Sequence, residues 1–371
     1  MINRPDYIAA IEPFIDKPLV KILAGIRRCG KSTIFEMLRE ELLRRGIGED
    51  QIVCKRYTEM DIPENITAKQ MYDELTAAMA GKGHCYLLLD EIQEITGWEK
   101  AVNSLLESAD ADIYVTGSNS KLMSSEISTY LTGRYVSIPV YTLSFKEYLD
   151  FKADSTLSRR ELLEEYIRFG GFPIIALSEY DEQSAYQIVN GIYHTVVSRD
   201  IVKRHRINKQ DLFDRVVKYI IENMGKTFSA NSISTFLKSE HRKVSVESIY
   251  NYLRWLEQAF IIYPCERYDL QGKSILKTQE KYYLADVSLK YALLGYNRKM
   301  LDGAMENIVY LELKRRGYDV YIGKNDTKEI DFVATRRDER IYVQVCVRIP
   351  EASDREVGNL MEIRDHYPKY V

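Results

Sequence analysis

No stretch of this 371-residue chain approaches the ~20 consecutive apolar residues that cross a bilayer, and its amino end has no apolar core of signal-peptide length. Membrane insertion is thereby excluded and a cytoplasmic protein expected. Cysteine is sparse: five residues, Cys29, Cys54, Cys85, Cys265 and Cys346, odd in number, scattered, and without a C-x-x-C pair. That excludes a zinc or dithiol motif of the usual spacing and a disulfide scaffold, and it suits a reducing compartment. Internal repeats and low-complexity tracts are missing as well, which excludes solenoids and disordered linkers. There is no excess of positive charge, since 52 Lys and Arg stand against 55 Asp and Glu for a net −3, so wholesale coating of nucleic acid is excluded. What is present is ordinary globular material, 45% hydrophobic, enough for two or three domains. Tyrosine is the exception, at 28 residues, and such an excess points to amphipathic packing surfaces.

One stretch carries chemistry directly. Gly25-Ile26-Arg27-Arg28-Cys29-Gly30-Lys31-Ser32-Thr33 fits G-x-x-x-x-G-K-[ST], preceded by the apolar run Leu19 to Ala24 and followed by Ile34, Phe35, Leu38, Leu42 and Leu43 at helical spacing. Strand, loop and helix in that order form a phosphate cage, because the glycines let successive N–H groups turn inward and the new helix adds its positive end. Lys31 would reach the β and γ phosphates of ATP, and the Ser32 hydroxyl would hold Mg²⁺.

A second apolar run, Cys85 to Leu89, ends in Asp90-Glu91. Downstream of such a loop, this pair suits a division of labour in which Asp90 takes the magnesium shell and Glu91 orients the attacking water. The other reading of the pair is two solvated acids capping the next helix. A further strand, Asp112 to Asn119, finishes in small polar residues, so Ser118 and Asn119 are placed to sense the γ-phosphate, unless they make an ordinary turn. Arg134 precedes a fifth strand, Tyr135 to Val140, and either neutralises charge in phosphoryl transfer, in its own site or a neighbour's, or makes a surface ion pair.

GIRRCGKST, YLLLDEIQ, YVTGSNSKLM, LTGRY and LSFKEYL, in this order, resemble a group of prokaryotic AAA-type ATPases related to the archaeal and signal-transducing P-loop ATPases. Gly170-Gly171-Phe172-Pro173, Asn251-Tyr252-Leu253, Lys281 to Asp286 and Glu306 to Tyr310 extend the similarity over nearly the whole chain. The resemblance implies an ATPase module, a helical and winged-helix middle, and a carboxyl-terminal domain of restriction-endonuclease type.

The residues of the middle agree with that. Ser144 to Phe151, Arg159 to Phe169 and Tyr186 to Ile201 read as helices of a lid, with an elbow at Gly170-Gly171-Phe172-Pro173. Three helices (Leu212 to Asn223, Ser229 to Leu237, Ser245 to Gln258) and two strands, Phe260 to Cys265 and Lys273 to Leu276, then read as a winged helix. Between Lys203 and Lys281, 15 basic residues face 9 acidic ones, a local +6, which favours contact with DNA phosphates. The third helix argues against base reading, because it carries Glu247 and Glu257 beside Arg254 as its one basic residue; the charge lies instead on Lys203, Arg204, Arg206, Arg242, Lys243 and the wing. A purely structural winged helix, or one that docks a protein, is the competing reading.

At the carboxyl end, a helix (Asp302 to Arg316) and three strands (Asp319 to Ile322, Glu329 to Ala334, Arg340 to Cys346) resemble a PD-(D/E)xK nuclease core, with Glu306 and Asp331 as oxygen ligands. Gln344 stands where a carboxylate is expected and Cys346 where a lysine is expected, and neither can do that work.

The expectation is therefore an α/β fold: a P-loop parallel sheet with flanking helices, then a helical/winged-helix region and a small α/β restriction-endonuclease-like domain. The expected domains are 1–142 (AAA-type ATPase), 143–204 (helical lid), 205–285 (winged helix) and 286–371 (nuclease-like, incomplete or degenerate). The expected function is Mg²⁺-dependent ATP hydrolysis whose nucleotide state, ATP or ADP, switches the later regions, with DNA, a protein partner or a homo-oligomer as further contacts and no membrane. A nucleotide-regulated adaptor with little turnover is the alternative; an ATP-gated nuclease and a small-molecule kinase fit less well.

Overall fold

Short apolar runs separated by amphipathic segments of ten residues or more have one economical arrangement, parallel strands joined by crossover helices. The computed structural model, described here for all residues except 1–2, 60–65, 124–126, 128–129, 208, 240, 243, 273, 298–300, 327 and 348–354, has that arrangement in the first of its two units, Met1–Thr142. Its strands are β1 (Val20–Ala24), β2 (Ile52–Arg56), β3 (Cys85–Asp90), β4 (Ala111–Gly117) and β5 (Tyr135–Pro139). Its helices are α1 (Pro5–Ile11), α2 (Lys31–Arg44), α3 (Ala68–Met79) and α4 (Trp98–Ser108). The sheet order is β2-β3-β4-β1-β5 with every pairing parallel, so the carboxyl ends of all five strands share one edge.

Local chemistry fixes these elements. Helix α2 buries Ile34, Phe35, Leu38 and Leu42, one stripe at helical spacing. Thr67 caps α3 in a reciprocal box with Gln70. A lysine in β1, an interior strand, needs a special reason. Lys21 is wholly buried, forms an ion pair with Asp112 of β4, and donates to Lys17 O at 2.8 Å.

The second unit, Leu143–Val371, begins with helices Phe145–Phe151 and Arg159–Phe169, each opened by a Ser-x-x-Glu box, at Ser144/Glu147 and Ser158/Glu161. The expected helix from Tyr186 to Ile201 is an α-helix, Glu182–Thr195, that widens into a π-helical stretch, Val196–Val202. Three helices follow, Gln210–Glu222, Ala230–Ser239 and Val246–Gln258, and then a hairpin of β6 (Ile262–Asp269) and β7 (Ser274–Leu284). After helix Leu301–Arg315 come β8 (Asp319–Asn325), β9 (Lys328–Arg336), β10 (Glu339–Val343), helix Arg355–Met361 and β11 (Lys369–Tyr370).

The expected boundary at residue 285 falls just after β7, in a sheet that continues beyond it. Strand β6 pairs with β8 in parallel register from Arg267↔Ile322 to Asp269↔Lys324, giving one six-stranded sheet, β11-β10-β9-β8-β6-β7. The physical reason is edge satisfaction: unpaired, both β6 and β8 would present free N–H and C=O groups. Strand β7, at eleven residues, also runs well past the expected Lys273 to Leu276. The tyrosines are used as packing surfaces with anchored hydroxyls, as where Tyr283 stacks on Tyr310 at 4.4 Å and Tyr310 donates to Pro264 O. Among the described residues no helix is long and apolar enough to cross a membrane.

The glycine elbow gives a stability test. Gly170 has φ of 76° and a Cβ there would lie 1.8 Å from Asp286 Oδ1, the carboxylate that accepts from Gly171 N at 2.8 Å and Ser288 N at 3.0 Å. Gly191, inside helix Glu182–Thr195, has open space around it. In urea denaturation, G170A should cost about 2 kcal/mol or more, whereas G191A should add about 0.5–1 kcal/mol through helix propensity.

Candidate functional site

The loop after β1 is shaped by two glycines and one strained arginine. A Cβ on Gly25 would fall 1.9 Å from Val140 O, so only glycine lets the chain leave β1 beside the end of β5. Arg28 and Gly30 take left-handed φ values of 67° and 102°. Helix α2 then starts at Lys31 with no side chain capping its first turn, which leaves those N–H groups for an anion. Lys31 is buried, and its Nζ donates to Gly25 O at 3.0 Å and Ile26 O at 3.2 Å.

The remaining residues of the loop divide by environment. Ile26 and Cys29 are core, and burial pushes the Cys29 thiol up, away from nucleophilic use. Arg27 pairs with Glu94 at 3.5 Å, Arg28 is exposed, and Thr33 is half-buried on α2. The buried Arg4, unremarked in the sequence, supports the loop, donating to Cys29 O at 2.8 Å and Tyr141 O at 3.0 Å.

The two acids meet this loop. Ser32 Oγ donates to Asp90 Oδ2 at 2.7 Å, Thr116 Oγ1 donates to Asp90 Oδ1, and Arg56 Nε donates to Oδ2 at 3.1 Å. Glu91 is left-handed, at φ 56°, and its N–H donates to Thr116 Oγ1 at 3.0 Å, while its Oε1 lies 3.9 Å from Lys31 Nζ. Strain in a carboxylate-bearing residue at a strand end is a cost that a site explains better than a turn does. Ser118 and Asn119 are buried directly after β4, and Gln93, in the turn after Glu91, bonds both Glu91 Oε2 and, at 3.3 Å, Ser118 Oγ. Lys31, Ser32, Asp90, Glu91 and Ser118 are thus brought together, with Asn119 adjoining. The donor set of Ser32 hydroxyl and Asp90 carboxylate is the hard-oxygen chemistry that Mg²⁺ takes, so these residues fit that ion. Arg56, Thr116 and Gln93 were missed; their only signal in sequence was a position at, or just after, a strand's carboxyl end.

Arg134 is not part of this site in its own chain. Val20, the first residue of β1, donates to Arg134 O at 3.0 Å, which puts the arginine at the amino edge of the sheet. The loop leaves the opposite edge, four strand residues away or about 13 Å. There Arg134 bonds Asn103 at 2.9 Å and Glu107 at 2.7 Å, and the guanidinium holds the Glu107 carboxyl below its ordinary range. The surface ion pair is the reading that the geometry selects.

In the second unit, Glu306 lies against a lysine, and Asp331 and Gln344 are bonded to one another. Lys281 of β7 is buried between Glu306 at 2.9 Å and Glu329 at 2.8 Å, and Tyr283 OH donates to Glu306 at 2.5 Å. Gln344 Oε1 accepts from Asp331 N at 3.3 Å, and Asp331 Oδ2 accepts from Val345 N at 2.7 Å. Of the basic residues considered for phosphate contact, Lys203, Arg204 and Arg206 are exposed and Arg242 pairs with Asp211 at 3.0 Å; Lys243 and Lys273 lie outside the described residues.

Residues 17–149 match the model of an AAA domain, and residues 160–299 match a domain of unknown function (DUF8612). An uncharacterized protein of Haemophilus influenzae is 38% identical over 374 residues, covering 100% of this chain and 93% of that protein. An uncharacterized protein of Methanocaldococcus jannaschii is 32% identical, covering 91% of this chain and 77% of that protein. Among solved structures, the Walker-type ATPase of Pyrococcus abyssi superposes with a TM-score of 0.55 over 79% of this chain and 96% of its own, at 15% identity, a likeness of fold.

Asp331 supplies a pH test. Burial, then the neighbouring Glu306, push its carboxyl up to about 7. The folded state therefore holds this proton more tightly than the unfolded chain does, and the stability it brings is complete in acid and lost as pH rises towards 7. Relative to D331N, the urea midpoint of the wild-type protein should fall between pH 4.5 and 7.5 and then level off.

Proposed function

The chain belongs to the same family as these two uncharacterized relatives, and we propose that it is a Mg²⁺-dependent ATP hydrolase whose site is the loop from Gly25 to Thr33 with Asp90 and Glu91. The observation that carries this reading is the hydrogen bond from Ser32 to Asp90, with Lys31 buried at the loop mouth and Glu91 beside it. The AAA domain match and the shared fold support nucleotide binding in general.

In this reading the uncapped N–H groups of α2 and the ammonium of Lys31 hold the β and γ phosphates, an anion on a helix start. Mg²⁺, held by Ser32 and through the carboxylate of Asp90, would neutralise charge on the transferring phosphoryl group. Glu91 orients a water towards the γ-phosphorus and takes its proton. Ser118 and Asn119 sense whether the γ-phosphate is present, and the nucleotide state switches the helical (143–204) and winged-helix (205–285) parts of the second unit. Arg134 enters only as a residue offered to a neighbouring subunit in a homo-oligomer.

The exposed Lys203, Arg204 and Arg206 and the local excess of positive charge favour a second reading, in which the nucleotide gates contact with DNA phosphates. The neutral Gln344 and Cys346 count against cleavage of that DNA.

K31A should weaken ATP binding at least 100-fold in calorimetry, since the phosphates lose their counter-charge. E91Q should bind ATP within a few-fold of the parent and lower kcat at least 100-fold; parental turnover in E91Q would remove the assigned role. DNA affinity, if it follows the phosphate route, should drop steeply between 50 mM and 200 mM salt, and no binding at the lower salt would rule that route out.

A further inference from the structure

We propose that Gln93 is the positioning residue for Glu91, clamping its carboxylate and tying it to the end of β4; this rests on the reading of Glu91 as the residue that activates water. Gln93 lies in the 3-10 turn Ile92–Glu94 that follows Glu91. Wholly buried Ile92 pins the turn, and Glu94 N donates back to Glu91 O at 3.2 Å. Its Nε2 donates to Glu91 Oε2 and, at 3.3 Å, to Ser118 Oγ.

The other end of the amide is unusual. Gln93 Oε1 is buried without a hydrogen-bond partner, and a Cβ on Gly117 would stand 2.4 Å from it. Strand β4 must end in glycine for this amide to lie where it does. A buried acceptor left unpaired is a cost. Its retention is explained when the N–H pair at the other end of the same group is what the site requires.

The chemistry calls for an amide at this place. A carboxylate that takes a proton from water needs a fixed plane. The N–H of Gln93 fixes one oxygen, Oε2, while Lys31 stands 3.9 Å from the other, Oε1. Because the same Nε2 also touches Ser118, a change at the end of β4 on arrival of the γ-phosphate reaches Glu91 through a single side chain. The triphosphate and the activated carboxylate are thereby coupled.

The test uses the full chain and three variants, Q93M, Q93E and E91Q. Q93M keeps length and loses the amide; it should lower kcat 10- to 100-fold while the KM for ATP and the Kd of a fluorescent ADP stay within two-fold. Q93E keeps shape and sets a second carboxylate against Glu91. A carboxylate cannot donate to Glu91 Oε2, so kcat should fall at least as far as in Q93M while the KM for ATP stays within two-fold. Unchanged ADP affinity and melting temperature show that both variants are folded. Parental kcat in Q93M or Q93E, or a rise in KM with kcat intact, each overturn the proposal. These results are separable from failure of the underlying reading: parental turnover in E91Q denies the role of Glu91 itself, whereas an inactive E91Q beside a fully active Q93M removes Gln93 alone.

Discussion

The hydrogen bond between Ser32 and Asp90 joins two elements that the chain makes 58 residues apart, and the rest of the first unit is arranged to permit it. Ser32 opens α2, and Asp90 closes β3, which is separated from β1 by β4 in the sheet. For the two to meet, the loop after β1 must turn across the carboxyl end of β4. Thr116 on β4 fills the intervening place, giving its proton to Asp90 and accepting that of the Glu91 backbone. Three strands thus contribute to one chain of polar contacts, and parallel pairing is what brings their carboxyl ends to the same edge.

The same arrangement explains why charged groups elsewhere in the sheet are harmless. Lys21 and Asp112 are as buried as the site residues, but they lie near the amino ends of β1 and β4 and neutralise one another. Asp90 is differently placed: its partners are two hydroxyls and Arg56, whose side chain is 44% exposed. An exposed guanidinium is held loosely, because water competes for it. A hard cation can therefore take its share of Asp90 at small cost, which the Lys21–Asp112 pair would not allow.

The first unit was legible in the sequence because its signals are local. The glycines, lysine and serine of Gly25 to Ser32 are contiguous, and the apolar run Cys85 to Leu89 stops at its acids. Arg134 was not legible in that way. Its neighbour Gly133 and the strand after it suit either edge of a sheet, and only the parallel pairing of β1 with β5 shows that Arg134 stands at the amino edge. Arg4, Arg56 and Gln93 were invisible for a related reason: each acts on a residue far away or around a tight turn, and a lone polar side chain carries no periodicity. The continuity of the second sheet was lost similarly, since β6 and β8 are joined in space across more than fifty residues of chain. Helix periodicity was read well where one face is buried, and it missed the π-helical widening at Val196–Val202, which repeats at a different spacing.

Two acidic clusters, at Asp90 and at Glu306, show how partner chemistry, more than carboxylate number, decides what a cluster can do. Around Asp90 the partners are hydroxyls and an exposed guanidinium, and the charge is left open to a soluble cation. Around Glu306 and Glu329 the counter-charge is built in: Lys281 is buried, and although burial works to lower its proton affinity, the two carboxylates outweigh it and hold the ammonium above its ordinary range. A tethered cation keeps a high local concentration, so a free ion must displace it at the cost of an unpaired ammonium in the interior. Gln344 adds an amide where another charge would be needed to win that contest, and Asp331, pushed up to about 7, gives up much of its own charge at neutral pH. The second cluster is accordingly a clasp that fixes β7 to helix Leu301–Arg315 and to β9.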